Sequence, residues 1–329
     1  MPFRTKLKTK KSDYPIKYDS NLLLIGSCFS VEIGDKLSKL KYNLLQNPFG
    51  ITFNPFSILT SIRACILGDS LPTKDFFFHN NLWRHSDFHG SYSHPDKKSC
   101  IHRANESIVK AHSFISNISK VVITLGTAYV YEEINSGHIV NNCHKRPTQD
   151  FSKRLLSTDE IIKTLKESIN LLDQSSTNSI NYIFTISPVR HIKDGIIENQ
   201  RSKARLIEAI HTTVEAYDNV SYFPAYEYLL DDLRDYRFYG RDLVHPSKEA
   251  VDYIYEKFED TYLSENDHEL RQQIIQINQS LNHRPQFPDT EEHKAFINKL
   301  INRIEKLTSE NPLISFDTEL EELKSKYQL

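Results

Sequence analysis

The stretch NLLLIGSCFSVEIG, residues 21–34, constrains this chain more than any other. Leu22, Leu23, Leu24 and Ile25 form an unbroken apolar run, the pattern of a strand covered on both faces in a parallel sheet. The run stops at Gly26-Ser27-Cys28, and Ile33, Leu37 and Leu40 then recur at helical spacing. A buried strand that turns through three small residues straight into a helix is the opening unit of an open α/β fold. Such folds bind ligands at the carboxyl edge of the sheet, and a helix amino end there lowers the pKa of a thiol. A turn glycine, a cap from Ser27 or Ser30 and a buried filler at Cys28 would produce the same local sequence. The rest of the chain has to decide between chemistry and packing.

Four further strand segments follow at 42–45, 120–126, 180–187 and 220–223. Helical periodicity occupies 31–40, the segment after Asn54-Pro55, and 108–118, 158–172, 202–217 and 248–262. Asn54 and Ser247 are placed as caps, and Pro55 sits in a first turn. This alternation predicts a three-layer α/β sandwich around a five-stranded parallel sheet of flavodoxin-like type. Right-handed crossovers then gather loops 26–30, 47–54, 126–130, 188–200 and 224–227 on one edge. Residues 75–100, rich in aromatics and histidine, are too long for a plain connection, and their length suits a lid. Past Tyr262 the composition changes to two amphipathic helices joined by a proline-containing turn at 283–289. We therefore expect a domain over 1–263 and a C-terminal helical extension over 264–329.

Composition excludes several classes of function. Lys and Arg total 41 against 43 Asp and Glu, a net charge of −2, so no field is available for non-specific nucleic-acid binding. No apolar run is long enough to span a bilayer, and the basic start MPFRTKLKTKKSDYP lacks the apolar core of a signal peptide. Cys28, Cys65, Cys100 and Cys143 are widely spaced with no C-x-x-C pair, which suggests neither a zinc site nor a disulfide framework. A reduced, cytoplasmic setting is the expectation, with no cofactor. His85, His89 and His94, with Asp87 and Asp96 nearby, lack the helical H-x-x-x-H context of a zinc helix because Gly90 and Pro95 break it. They read as lid histidines, and a metal-dependent hydrolase is a third reading behind those below. Phe76–Phe78, Trp83, Phe88 and Tyr92 read as a small satellite core.

The chemistry gathers at the two ends of the sheet region. In GRDLVHPSKEA, Asp242 stands three residues before His245, just ahead of the last helix of the alternating region. A carboxylate so placed can accept the ring Nδ1–H and leave Nε2 facing a nucleophile, either Cys28 or Ser27. A Gly-x-nucleophile elbow after strand one with D-x-x-H-P before the last helix resembles the SGNH, or GDSL-like, hydrolase superfamily. Within it, GSCFS resembles the signature of the GSCFA family. NPFGITFNP, LWRHSDFHGSYS, ITLGTAYVY, NCHKRP, FTISPVRHIKDGIIENQRSKA, VSYFPAYEYLLDDLRDYRFY and DLVHPSKEAVDYI resemble further blocks of that family, over residues 3–258.

The resemblance places Cys28 at the catalytic serine and Ser27 at the preceding aspartate of the superfamily. It implies Cys28 as nucleophile, His245 as general base and Asp242 as its orienting partner. A helix end and an imidazolium would stabilise the thiolate, so Cys28 is expected to be the most reactive of the four thiols. The implied oxyanion donors are the Cys28 and Gly50 amides. The third-strand asparagine is missing, and Thr127 stands as its substitute. Losing such a donor costs about 3–4 kcal/mol of transition-state stabilisation. Loop 188–200 contributes Arg190, which can clamp a carboxylate or phosphate, with His191, Asp194, Asn199 and Gln200; Arg190, His191, Asn199, Ser27 and His144 are the substrate-binding candidates. The resulting expectation is an ester or thioester hydrolase or acyltransferase acting on a small-molecule or glycan acyl substrate. Its rival is a catalytically silent module that binds a carbohydrate, lipid or acylated partner.

Overall fold

The computed structural model describes residues 4–283, 285–287 and 289–327. The chain runs β1 (Leu22–Gly26), α1 (Cys28–Lys39), β2 (Leu44–Gln46), α2 (Pro55–Leu67), then a hairpin of β3 (Phe77–His79) and β4 (Leu82–Arg84). Next come α3 (Lys97–Ile115), β5 (Lys120–Leu125) and a three-stranded antiparallel insertion of β6 (Tyr129–Glu133), β7 (Ile139–Val140) and β8 (Phe151–Leu155). The alternation resumes with α4 (Thr158–Ser175), β9 (Asn181–Ile186), α5 (Ile196–Val214), β10 (Val220–Phe223), the one-turn α6 (Ala225–Glu227) and α7 (Lys248–Tyr262). Three helices close the chain: α8 (His268–Leu281), α9 (Glu291–Glu310) and α10 (Asp317–Tyr327).

The central sheet has the order β2-β1-β5-β9-β10 with every neighbouring pair parallel, as the alternation predicts. The period of two divides each strand between two cores. Leu23 and Ile25 face one core together with helices α2 to α5, while Leu22 and Leu24 face a second with α1 and α7. The chain begins at β1, steps out to β2 and returns across β1 to β5. The switch point of the sheet thus lies between β1 and β5, at the head of α1.

Several boundaries differ from the sequence reading. Helix α3 starts at Lys97 rather than 108, because Asp96 caps it by accepting the Ser99 amide at 2.7 Å, and its inner face begins with the small residues Cys100 and Ala104. Helix α5 starts at Ile196 rather than 202, since its first buried positions, Asn199, Ser202 and Lys203, are polar. The second strand shifts to Leu44–Gln46, and Tyr42 stacks on Tyr18 in the α1/α7 core instead. The residue 75–100 insertion is not a satellite: Phe76 and Phe88 join the same core as Leu23, and Phe88 stacks on Phe49 at 4.0 Å.

The C-terminal helices continue the α1/α7 core, with Ile274, Ile277, Leu300, Ile304 and Leu307 in one cluster with Leu22 and Ile33. Part of the expected turn at 283–289 (Arg284 and Pro288) lies outside the described residues. Among the described residues no helix is long and apolar enough to cross a membrane.

Candidate active site

The elbow after β1 requires glycine first. Gly26 has φ +141°, and a Cβ there would lie 2.1 Å from the Thr124 carbonyl oxygen. The close approach lets the Ser27 amide donate to that oxygen at 3.0 Å, and α1 begins at Cys28 immediately after. Neither serine caps the helix. Ser27 occupies the cap position with extended backbone, but its buried Oγ has no hydrogen-bond partner among the described residues. Ser30 Oγ accepts from Asn47 Nδ2 at 3.1 Å, while Asn47 Oδ1 takes the Gly26 amide at 2.8 Å. The amino end of α1 is therefore left without a side-chain cap, and Cys28 sits in it, half-buried.

The D-x-x-H loop forms the expected pair. Asp242 Oδ2 accepts from His245 Nδ1 at 2.7 Å, and Oδ1 accepts the Val244 and His245 amides, each at 3.0 Å. The His245 bond, then those two amides, hold the Asp242 carboxyl down to about 2. Both side chains are about half exposed. The Arg190 amide donates to the Val244 carbonyl at 3.2 Å, tying loop 188–200 to this loop. Cys28 and His245 make no hydrogen bond to each other among the described residues. Burial, moreover, pushes the Cys28 thiol up, against the lowering influence of its own amide and of Lys203. The expected depression of the thiol is outweighed by desolvation.

Loop 188–200 brings His191 to the strand ends. Its Nε2 lies 3.3 Å from where a Gly126 Cβ would stand, and its ring meets the edge of Phe53 at 5.6 Å. Burial first, then Lys203, lowers His191 to about 4, and His245 adds to the effect. Asn199 is buried and committed: its Oδ1 takes the His191 amide at 2.9 Å. The Arg190 guanidinium lies 4.7 Å over the Tyr239 ring, at a cavity of about 250 Å³ walled by Leu229, Leu230, Arg234 and Tyr236.

Three expected contributors are engaged elsewhere. The Gly50 amide donates to the Asn47 carbonyl at 2.7 Å, and the Thr127 amide to the Phe53 carbonyl at 3.0 Å. Thr127 Oγ1 bonds Ser202 Oγ at 3.1 Å and accepts the Tyr129 amide at 3.0 Å. Of the three expected oxyanion donors, only the Cys28 amide is left without a carbonyl partner among the described residues. His144 is a buried post of the hairpin insertion. Its Nε2 donates to the His85 carbonyl at 2.9 Å, Nδ1 meets Arg84 Nη1 at 3.2 Å, and burial lowers it to about 4. His85, His89 and His94 each use Nδ1 within their own turn, and among the described residues no group of three His, Cys, Asp or Glu is arranged to hold a metal ion.

One residue at the site escaped the sequence reading. Lys203 is 1% exposed, and its Nζ donates to the Gly126 and Ser187 carbonyls, both at 2.7 Å. Its signal was periodic: Thr213, Ala209/Ile210 and Leu206 define the buried stripe of α5, and stepping back one turn lands on Lys203.

No curated protein matches the chain. The family model described as GSCFA family matches residues 21–258, and that described as GSCFA domain protein, C-terminal domain, matches residues 274–328. The first match spans the elbow, both insertions and the Asp242–His245 loop, most of the chain, which therefore belongs to the GSCFA family.

Proposed function

We propose that this protein is an SGNH-like acyl-group enzyme with Cys28 as nucleophile, His245 as general base and Asp242 as orienting carboxylate. The observation that carries the proposal is the 2.7 Å Asp242–His245 bond, which leaves Nε2 as acceptor on the sheet edge that also holds the uncapped head of α1. Cys28 Sγ attacks the carbonyl carbon of an ester or thioester as its proton passes to His245 Nε2. The oxyanion faces the amide at the head of α1. Collapse breaks the bond to the leaving alcohol or thiol, which takes the proton back from His245. The acyl group then passes from sulfur to water or to a second acceptor. His245 is exposed enough to swing onto the thiol when substrate binds, and such contacts tighten in the liganded state. Arg190 and His191 border the substrate, a small-molecule or glycan acyl compound.

The test is to incubate the protein with a panel of activated acyl esters and thioesters and map adducts by mass spectrometry. An acyl group on Cys28, absent in Cys28→Ala, is expected; an adduct only on Ser27 would move the nucleophile by one residue. A second reading, a catalytically silent binding module, is favoured by the commitment of the Gly50 and Thr127 amides. It would prevail if the panel left no adduct while an acylated ligand still bound.

A further inference from the structure

We propose that Lys203 is the ionic partner of Cys28, a positioning residue that governs when the thiol ionises. Burying a lysine without a carboxylate is costly. Two carbonyl hydrogen bonds satisfy two of its three N–H groups and neutralise none of its charge. Among the described residues no acidic side chain pairs with it, although the buried stripe of α5 would accept leucine or methionine there. If the only task were to clamp two carbonyls, a neutral amide would suffice.

The placement points to the thiol. Gly126 and Ser187 lie just past the ends of β5 and β9, and β5 pairs with β1 through Thr124 and Gly26, two residues before Cys28. Among the described residues, the Tyr226 ring centroid lies 5.6 Å from Nζ, and the charges of Cys28 on α1 and His191 on loop 188–200 couple to that of Lys203. The negative charge of Glu32, one turn along α1, opposes ionisation of the thiol. Burial lowers Lys203 to about 7 and Cys28 counteracts it, while Lys203 in turn draws the thiol down. A thiolate here therefore raises the lysine's hold on a proton, and a protonated Lys203 beside a Cys28 thiolate leaves the buried pair with no net charge. In the acyl-transfer reading, on which the catalytic consequence rests, His245 takes the thiol proton and Lys203 supplies the counter-charge.

The test is the pH profile of Cys28 alkylation by iodoacetamide, read peptide by peptide in wild type, Lys203→Met and Lys203→Gln, with half-buried Cys143 as internal control. The Cys28 midpoint should rise by about one pH unit in both variants, so that labelling near neutrality falls about tenfold, with Cys143 unmoved. An unchanged profile in folded variants overturns the proposal and leaves Lys203 a clamp on two carbonyls. If neither variant folds, nitrogen NMR of Lys203 in wild type and Cys28→Ala decides. The lysine midpoint should fall without the thiol, and a constant midpoint overturns the pairing. Labelling needs no substrate, so the two readings fail separately. A shifted profile with no acyl adduct retains the pair and sinks the enzyme; an adduct with an unshifted profile does the reverse.

Discussion

Asp242 meets His245 twice, through the ring Nδ1–H at 2.7 Å and through the residue's own amide at 3.0 Å. The carboxylate thus orients the ring and selects a tautomer, proton on Nδ1 and lone pair on Nε2. The folded carboxyl is depressed to about 2, so the pair's contribution is present above the ordinary carboxylate value near about 4 and fades as pH falls towards 2. In Asp242→Asn, proton–nitrogen correlation spectra should show the neutral ring redistributed between tautomers. Acyl-adduct formation should slow by about 10²–10⁴-fold. A variant that kept the wild-type tautomer and rate would remove Asp242 from the mechanism.

Acid should loosen the protein well above the range in which Asp242 titrates. His144 and His191 are both lowered to about 4, chiefly by burial. Unfolding returns them to about 6.5, so the unfolded chain binds more protons between those values and stability falls as pH drops from about 6.5 to 4. Each histidine contributes on the order of 2–3 kcal/mol to that slope. His144 has φ +52°, a conformation that asparagine tolerates well, so His144→Asn isolates the side chain. Urea unfolding across pH should show a shallower acid slope in this variant, on a lower plateau at neutral pH. A slope equal to wild type would mean that His144 is not buried neutral.

What the sequence disclosed and what it hid follow from the same physics. Leu22 to Ile25 announced a central strand because a short apolar run ending at a Gly-Ser turn fits a strand covered on both faces, and the D-x-x-H turn announced its own hydrogen bond because both partners are local. Gly50 and Thr127 enter as expected oxyanion donors through the family resemblance, but the partners of their amides, Asn47 and Phe53, are set by turn geometry that residue type does not encode. Lys203 was invisible because a lysine in an amphipathic helix is ordinarily assigned to the solvent face. Only the registration of the stripe through Leu206 and Ile210 turns it inward. Of the small sheet of β6 to β8, only a hairpin ahead of His144 is legible in the sequence, because the burial along β6 and β8 does not alternate with a clean period of two.

The elbow glycine offers a sharp stability test. Gly26→Ala places a Cβ 2.1 Å from a backbone oxygen at φ +141°, and neither the strand pair nor the dihedral can relax without opening β1 from β5. A loss of at least about 3 kcal/mol is expected. Gly90→Ala is the control. Among the described residues no atom lies within 4 Å of its would-be Cβ, and stability should change by less than about 0.5 kcal/mol. Comparable melting temperatures for the two variants would contradict the tight Gly26–Thr124 approach.

Ser27→Ala separates fold from function at the residue beside the thiol. Serine at a helix cap ordinarily contributes about 1 kcal/mol through its side-chain bond, so alanine there destabilises. Ser27 makes no such bond: its Oγ is buried without a partner among the described residues, and a hydroxyl in that state costs about 1–3 kcal/mol of desolvation. Removing it should leave the melting temperature unchanged or raise it. A group kept at that cost beside the proposed nucleophile is best explained by a partner that arrives with the substrate, so under the acyl-transfer proposal adduct formation on Cys28 should slow about tenfold or more, the worth of one hydrogen bond made during the reaction. A drop in melting temperature typical of a lost cap would show that the hydroxyl is bonded in solution. An unchanged adduct rate in a fully stable variant would return Ser27 to simple packing and remove it from the substrate contacts.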